Sequence, residues 1–387
     1  MRDLQQCRAE IDRLDRQIVA LFEERMAVCR EVGAYKVAHH LPVLDEERER
    51  QVLQAKAELL QDAGLRPQVI ALFETIMAGS RSLQRRMVTE TDPAKAGDLE
   101  AYQAMRHWSG QPLTEQRVLY QGQPGAYCEE AAMGFFGDDC QRMNLKTWDG
   151  VFRGVKEGFG DFGVVPIENS STGSINDVFD LLGQFGCYIV GEQIVPVRHC
   201  LVALPDASMD TITDVYSHAQ GFAQCRPFLG EHPKWEHHEM VNTAVAAKFV
   251  AESGDSTKAA IASRRAAELY GLQILQSAIN ENVRNYTRFL IVAAEPRFPE
   301  DANKISVRFI IPHREGSLCR ILQIFAQAGL NLEKLESRPV PESRWEYSFY
   351  ADFTGNIRRE EMDRGIRELI DAASSFRVLG NYKAAQL

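Results

Sequence analysis

Apolar residues near the start of the chain recur in a three-four alternation. In "LDRQIVALFEERMAVCREVGAYK", residues 14–36, Leu14, Ile18, Leu21, Val28, Val32 and Tyr35 keep that spacing, and Arg25 stands in the same seam. Such a stripe is the mark of an amphipathic helix. The pattern predicts a helix over 3–39, ended by Pro42, and roughly 55 Å long. A rod of that length cannot bury its seam alone. A second helix is predicted from the N-cap Asp45 and the acid-rich "DEERER" to Gly64, and a third from Pro67 to Arg86. The same spacing links Asp45, Arg48, Val52, Ala55 and Leu59 in the second, and Ile70, Phe73, Met77, Ser80 and Gln84 in the third. Each seam turns polar at one end.

Beyond the third helix, residues 88–116 mix Pro, Gly and polar positions with one possible short helix. They read as a linker, placed at 91–116 after an all-helical domain over 1–90. From 117 to 297 short apolar strands such as "FGVVPIEN", "CYIVGEQIVPV" and "RFLIVAA" alternate with helices, which predicts an α/β domain. Over 303–383 the order is βαββαβ, an α+β ferredoxin-like module.

With 387 residues, 45% hydrophobic and 25% charged, the chain has material for two or three cores. A formal net charge of -10 argues against nucleic-acid or anionic-membrane surfaces, which need a basic footprint. No apolar run approaches about 18 residues, and the N-terminus is polar, so the expectation is a cytoplasmic protein without a membrane span or secretory signal. Eight cysteines are scattered without a C-x-x-C pair and read as reduced thiols. No metal and no cofactor are called for.

A permanent charge in a helical seam needs a partner, because an unpaired buried arginine costs several kcal/mol. The simple reading is an ion pair between helices, Arg25 with Asp45 or Glu49. The seams and their flanks, however, gather Arg8, Arg25, Lys36 and Arg48 against Asp45 and Glu49, with Ser80 and Gln84 beside them. Surplus positive charge suits a small polyanion. This set resembles the active site of the all-helical chorismate mutase family. The resemblance implies that arginines clamp the two carboxylates of chorismate, that Lys36 and Gln84 bond its ether oxygen, and that Glu49 with Asp45 holds its ring hydroxyl. It also implies a helical dimer in which Arg8 reaches the partner's site.

In the α/β region, "GFGDFG" at 158–163 spells a dinucleotide fingerprint but precedes a strand instead of following one. It reads as a turn. A stronger signal is "VVPIENSSTGSINDV", where a strand ends at Asn169 and Ser170, Ser171, Thr172, Gly173 and Ser174 open a helix, a place where hydroxyls and free N–H groups converge. Helix capping is the simple alternative. Similar polar strand ends recur at Ser217, His218, Gln220 and Gln224, and at Asn242 and Thr243, which favours a cleft.

Together with "NYTRF", carrying Thr287, Arg288 and Phe289, these stretches resemble prephenate dehydratase over nearly all of 117–297. The resemblance implies a two-lobed α/β fold like a periplasmic binding protein, with the cleft as active site. It assigns Thr287 to protonating the departing hydroxyl while carbon dioxide leaves, and the cationic Arg288 beside it is a candidate for a prephenate carboxylate. Because consecutive strand residues point to opposite faces, Thr287 and Arg288 share a ligand only at a twisted strand start. "GQPGAYC" departs from the family's loop at Ala126 and Cys128, where two hydroxyls are missing.

In the last module, "REGSLCRIL" (Gly316, Ser317, Leu318) and "LNLEKLESRP" (Asn331, Glu336, Ser337, Arg338, Pro339) resemble the ACT regulatory domain. This implies L-phenylalanine as allosteric inhibitor, bound at a dimer interface. The whole order resembles the bifunctional chorismate mutase/prephenate dehydratase family with a C-terminal ACT domain. The substrates implied are chorismate and prephenate, and the assembly a homodimer or higher homo-oligomer. Two other readings stand beside it: a ligand-sensing protein without chemistry, and a dehydratase preferring arogenate.

Overall fold

A computed structural model describes residues 2–39, 41–43, 45–85, 87, 95–107, 116–340 and 346–386. The chain divides into two compact units, Met1–Ala96 and Gly97–Leu387. Of the linker expected at 91–116, residues 91–94 and 108–115 lie outside the described residues.

The first unit is helical. Helix α1 (Leu4–Ala38) opens with a capping box between Asp3 and Gln6, α2 (Glu46–Glu58) is capped by Asp45, and α3 is Arg66–Arg85. The second helix ends earlier than the pattern predicts. Asp62 accepts the backbone N–H of Gly64 at 2.8 Å and holds 63–65 in a 3-10 turn, a side-chain bond that competes with helix continuation. On α1 only Met26 and Gly33 are buried. Ile11, Leu14, Ile18, Leu21, Phe22, Val28 and Val32 are exposed.

In the second unit the short helix of the predicted linker is α4 (Ala96–Arg106). Its Tyr102 and Met105 are buried in the core of the C-terminal module, and Arg106 pairs with Asp363 at 2.7 Å. Next come β1 (Arg117–Gln121), α5 (Tyr127–Phe136), β2 (Gln141–Leu145), α6 (Trp148–Lys156), β3 (Phe162–Asn169), β4 (Gly173–Ser174), α7 (Asn176–Phe185) and β5 (Tyr188–Pro196). A second lobe holds β6 (Cys200–Ala203), β7 (Asp214–Ser217), α8 (Ala219–Gln224), α9 (Arg226–Gly230), β8 (Glu236–Glu239), α10 (Thr243–Ser253), β9 (Lys258–Ala262), α11 (Arg264–Tyr270) and β10 (Gln273–Gln276). The chain then returns to the first lobe as β11 (Tyr286–Ala293).

The two sheets have orders β2-β1-β3-β11-β5, with β4 on β3, and β10-β6-β9-β7-β8. The α/β domain is therefore two-lobed. The returning strand β11 lies between β3 and β5, antiparallel to both, and its register sets Thr287 opposite Asn169. The two connections between lobes are tied together by Asn280, which donates to Val197 O at 2.8 Å and accepts from His199 N at 3.1 Å. "GFGDFG" is the turn between α6 and β3, as its order in the sequence implies. A Cβ on Gly160 would lie 2.4 Å from Leu119, so the close approach accounts for that glycine without a nucleotide.

The C-terminal module comprises β12 (Lys304–Ile310), α12 (Ser317–Gln327), β13 (Leu332–Pro339), β14 (Tyr347–Thr354), α13 (Glu360–Ala372) and β15 (Ser375–Tyr382). Its antiparallel sheet has the order β13-β14-β12-β15. Both helices pack one face, through Ile321, Ile324, Ile366 and Leu369. From the other face Tyr350, Leu379 and Tyr382 join the core of the first α/β lobe.

Candidate functional sites

Within the helical unit, one end of the three helices collects most of the predicted mutase residues. Lys36 donates to Val43 O at 2.6 Å, and a Cβ on the buried Gly33 would lie 3.1 Å from Gln84. From α2, Asp45 accepts the N–H of Arg48 at 3.0 Å, and Glu49 pairs with Arg81. On α3, Ser80 and Gln84 are buried and bonded to each other at 3.3 Å, with Gln84 Oε1 left unpaired. Turning that amide over keeps the Ser80 bond, with the hydroxyl donating, and places an N–H donor where the unpaired oxygen sits. Arg25 is half-buried with Nη1 3.6 Å from Cys29 Sγ, and Arg48 is exposed. Arg8 is also exposed and sits about 42 Å from Lys36 along the helix axis. It cannot join this end of its own chain.

The α/β cleft is organised around Asn169. Its Oδ1 accepts from the backbone N–H of Ser171 (2.9 Å) and Thr172 (3.1 Å). With the oxygen so occupied, Nδ2 must face the other way. Its two hydrogens are shared among Asn285 Oδ1 at 2.8 Å, Thr287 Oγ1 at 2.9 Å and, at the longer 3.2 Å, Tyr286 O. Thr287 therefore accepts from Asn169, and its own hydrogen is free for an acceptor in the cleft. The turn carrying Asn169 is fixed from the β11 side, since Ser170 Oγ donates to Arg284 O at 3.0 Å and accepts from Tyr286 N at 2.9 Å. Asn282 donates to Ser171 Oγ at 3.1 Å, and Gly173 pairs with Asn169 across β3 and β4.

The second lobe contributes two glutamines. Gln220 Nε2 donates across the cleft to Thr172 Oγ1 at 3.2 Å. Gln224 Oε1 lies 2.9 Å from His199 Nε2, and His199 Nδ1 lies 3.2 Å from Tyr127 OH. An amide oxygen only accepts, so Nε2 carries the proton and Nδ1 accepts from Tyr127. Burial holds the His199 pKa below its ordinary value, against the opposing pull of the Gln224 bond. His199 thus joins Tyr127 of one lobe to Gln224 of the other.

Four predicted cleft residues stand elsewhere. Ser217 is wholly buried and donates to Ile261 O at 3.1 Å. Phe289 is a core residue at 2% exposure. Arg288 points away from Thr287, as strand alternation requires, donating to Glu192 at 2.6 Å and pairing with Asp352 at 2.7 Å. Asn242 simply caps α10. Sequence reasoning missed Arg81, His199 and Asn285. Asn285 stands two residues before Thr287, so the period of a strand would have flagged it; Arg81 falls between seam positions, and nothing in "RHC" singles out His199.

In the C-terminal module a cavity of about 330 Å³ is lined by Gly316, Ser317, Leu318, Tyr347 and Phe349. Gly316 caps α12 with φ +76° and no side-chain hydrogen bond, and the first N–H of that helix, from Ser317, goes to Arg314 O at 3.2 Å. The "ESRP" strand is two-faced. Ser337 and Pro339 pair with Phe349 and Tyr347, whereas Glu336 accepts from Ser174 and Arg338 pairs with Asp180 at 2.6 Å. Asn331 donates to Thr354 Oγ1 at 3.3 Å and does not line the cavity. Elsewhere, Asp214, Glu236 and His238 gather their ligand atoms within 4.8 Å, and a 2.7 Å hydrogen bond between His238 Nε2 and Asp214 Oδ1 accounts for two of the three. No helix among the described residues is long and apolar enough to cross a membrane.

Residues 7–85 match the family Chorismate mutase type II and residues 118–297 the family Prephenate dehydratase. The chain is 30% identical to the bifunctional chorismate mutase/prephenate dehydratase of Aquifex aeolicus (strain VF5), over 100% of this chain and 99% of that protein. It is 38% identical to arogenate dehydratase 3, chloroplastic, of Arabidopsis thaliana, over 69% of this chain and 66% of that protein. A solved structure of prephenate dehydratase from Arthrobacter aurescens in complex with L-Phe is similar at a TM-score of 0.63 and 29% identity, covering 69% of this chain and 90% of that one.

Proposed function

The chain belongs to the bifunctional chorismate mutase/prephenate dehydratase family, and from that premise we propose how its residues divide the work. The helical unit rearranges chorismate to prephenate. That reaction is intramolecular, so the site needs only to hold the reactive shape and stabilise charge growing on the ether oxygen. Lys36 and the Gln84 amide are the donors for that oxygen, Arg25 and Arg48 bind the carboxylates, and Glu49 with Asp45 takes the ring hydroxyl. The separation of about 42 Å along α1 makes Arg8 a residue of the partner's site, and the exposed seam of α1 supports a homodimer.

The α/β cleft converts prephenate to phenylpyruvate. The bond to the ring carboxylate breaks, its electron pair enters the ring, and the hydroxyl on the far side departs as water with a proton from Thr287, which solvent then restores. A threonine is a weak acid. The ring's aromatisation supplies most of the driving force, and Thr287 needs chiefly to be aimed. The bond from Asn169 Nδ2 to Thr287 Oγ1 is the observation that carries this reading, because it orients the hydroxyl through one of its lone pairs and leaves its hydrogen free to donate into the cleft. Ser170, Ser171, Gly173, Gln220 and Gln224 complete the cleft, in the bonds described above.

The C-terminal module is an ACT regulatory domain that binds L-phenylalanine. The start of α12, which has no side-chain cap, suits the ligand's carboxylate, and Tyr347 and Phe349 offer its ring an apolar wall. The L-Phe complex of the Arthrobacter aurescens relative supports that ligand.

Incubating the protein with chorismate tests the proposal, with prephenate and phenylpyruvate followed over time. Both should accumulate in order, and accumulation of neither sinks it. The Arabidopsis thaliana arogenate dehydratase at 38% identity makes arogenate the competing substrate, and parallel turnover of prephenate and arogenate by the same preparation decides between them.

A further inference from the structure

We propose that Arg81 is a positioning residue of the rearrangement site and acts through Glu49. The inference rests on the mutase reading above and adds a residue that the family resemblance did not supply. Among the described residues of Met1–Ala96, the buried polar side chains are Ser80, Arg81 and Gln84, at 6%, 9% and 7% exposure. Position 84 lies four residues beyond 80 and three beyond 81, so Gln84 neighbours both on one side of α3.

Ser80 and Gln84 are bonded to each other. Arg81 crosses to α2, where its Nη1 donates to Glu49 Oε1, with side chains 11% and 23% exposed. If this contact only joined two helices, packed apolar residues would serve as well or better, since removing a guanidinium and a carboxylate from water is expensive. An ion pair whose guanidinium is largely withdrawn from water therefore points to a second task.

That task follows from the pocket's other charges. A site for a substrate with two carboxylates is weakened by a bare carboxylate of its own, yet the ring hydroxyl requires an acceptor. Of the two pocket acids, Asp45 already caps the N–H of Arg48. Glu49 takes the hydroxyl together with the remaining oxygen of Asp45. Arg81 offsets its charge and holds Oε1, which turns Oε2 toward the substrate.

The test is a double-mutant cycle in the full chain, with Arg81→Met, Arg81→Lys, Glu49→Gln and the two double variants, read as kcat and KM for chorismate. Arg81→Met should lower kcat/KM by about tenfold or more, mostly in kcat, and Arg81→Lys should recover most of the loss. In the Glu49→Gln background the same Arg81 changes should cost less than about twofold, because the group through which Arg81 acts has gone. Should Arg81→Met lose its helical circular dichroism, the Arg81→Lys arm of the cycle gives the same comparison. Parent-like kcat/KM in Arg81→Met, or losses that add in the double variants, would overturn the proposal. A parent protein that leaves chorismate unconverted would overturn the mutase reading itself, before any variant is compared.

Discussion

Thr287 and Arg288 are neighbours in sequence that serve opposite faces of β11: the threonine hydroxyl accepts from Asn169 at 2.9 Å, while the arginine donates to Glu192 at 2.6 Å on the side of the C-terminal module. The first prediction concerns the cleft face. Thr287→Ala should lower dehydratase kcat by about 10²- to 10⁴-fold, the usual worth of a positioned general acid. Thr287→Ser, which keeps the hydroxyl, should recover a large part. Mutase turnover of the same preparations should not change, and an equal loss of both activities would contradict separate sites.

Arg288 belongs to a different balance. Its side chain is 14% exposed and reaches Glu192, Asp352 and, at 3.0 Å, Tyr382 OH, while Lys304 also holds Glu192 at 2.8 Å. Arg288→Met leaves buried acids short of a partner and should destabilise the Gly97–Leu387 unit by about 3 kcal/mol, the lower end for a broken buried pair because Lys304 remains. Below the melting temperature the KM for prephenate should stay near that of the parent. A KM raised tenfold or more in folded protein would restore Arg288 to the carboxylate-binding role that the sequence suggested.

His199 predicts a pH dependence. Its folded-state pKa lies below the ordinary 6.5, so the unfolded chain takes up the proton first as the solution is acidified. The stability contributed by the neutral imidazole is complete above 6.5 and is lost as pH falls through the folded value. Protonation also turns Nδ1 into a donor and so upsets its bond with Tyr127. Thermal melts of the parent should fall below that pH more steeply than those of His199→Gln. Parallel acid limbs would assign the slope to other groups.

Much of this was legible in the sequence because periodicity and order report backbone fold directly. The three helices, the alternation of strands and helices, the βαββαβ order and the reading of "GFGDFG" as a turn all came from local pattern. Thr287 with Asn169 was legible through family resemblance, and their register across β3 and β11 gives that pairing a physical basis. What escaped was set by tertiary partners. Ser217 has the residue type of a cleft hydroxyl but is spent on Ile261 O, and α4 packs on a module some 200 residues later in the chain, as in Arg106 bonding to Asp363 across a separation of 257. The two-faced use of "ESRP" follows from strand alternation but needed the position of the α/β lobe to show which face Glu336 and Arg338 would take.

The exposed seam of α1 leads to the last prediction. If the helical units pair and each supplies Arg8 to the other's pocket, Arg8→Ala and Lys36→Ala should each abolish mutase turnover alone while leaving the dehydratase intact. Mixed after reversible dissociation, the two inactive proteins complement. In a hybrid dimer the pocket with Lys36 receives Arg8 from the Lys36→Ala chain and works, whereas the other pocket lacks both groups. Random pairing makes about half of all dimers hybrid, each with one working site of two, so the mixture should regain about a quarter of parental turnover by the closed two-fold arrangement. Equilibrium sedimentation would establish that the dimers had re-formed. Re-formed dimers without recovered turnover would place Arg8 outside the partner's pocket, and Ile18→Glu, which puts a charge into the seam, should weaken the dimer and the mutase activity together.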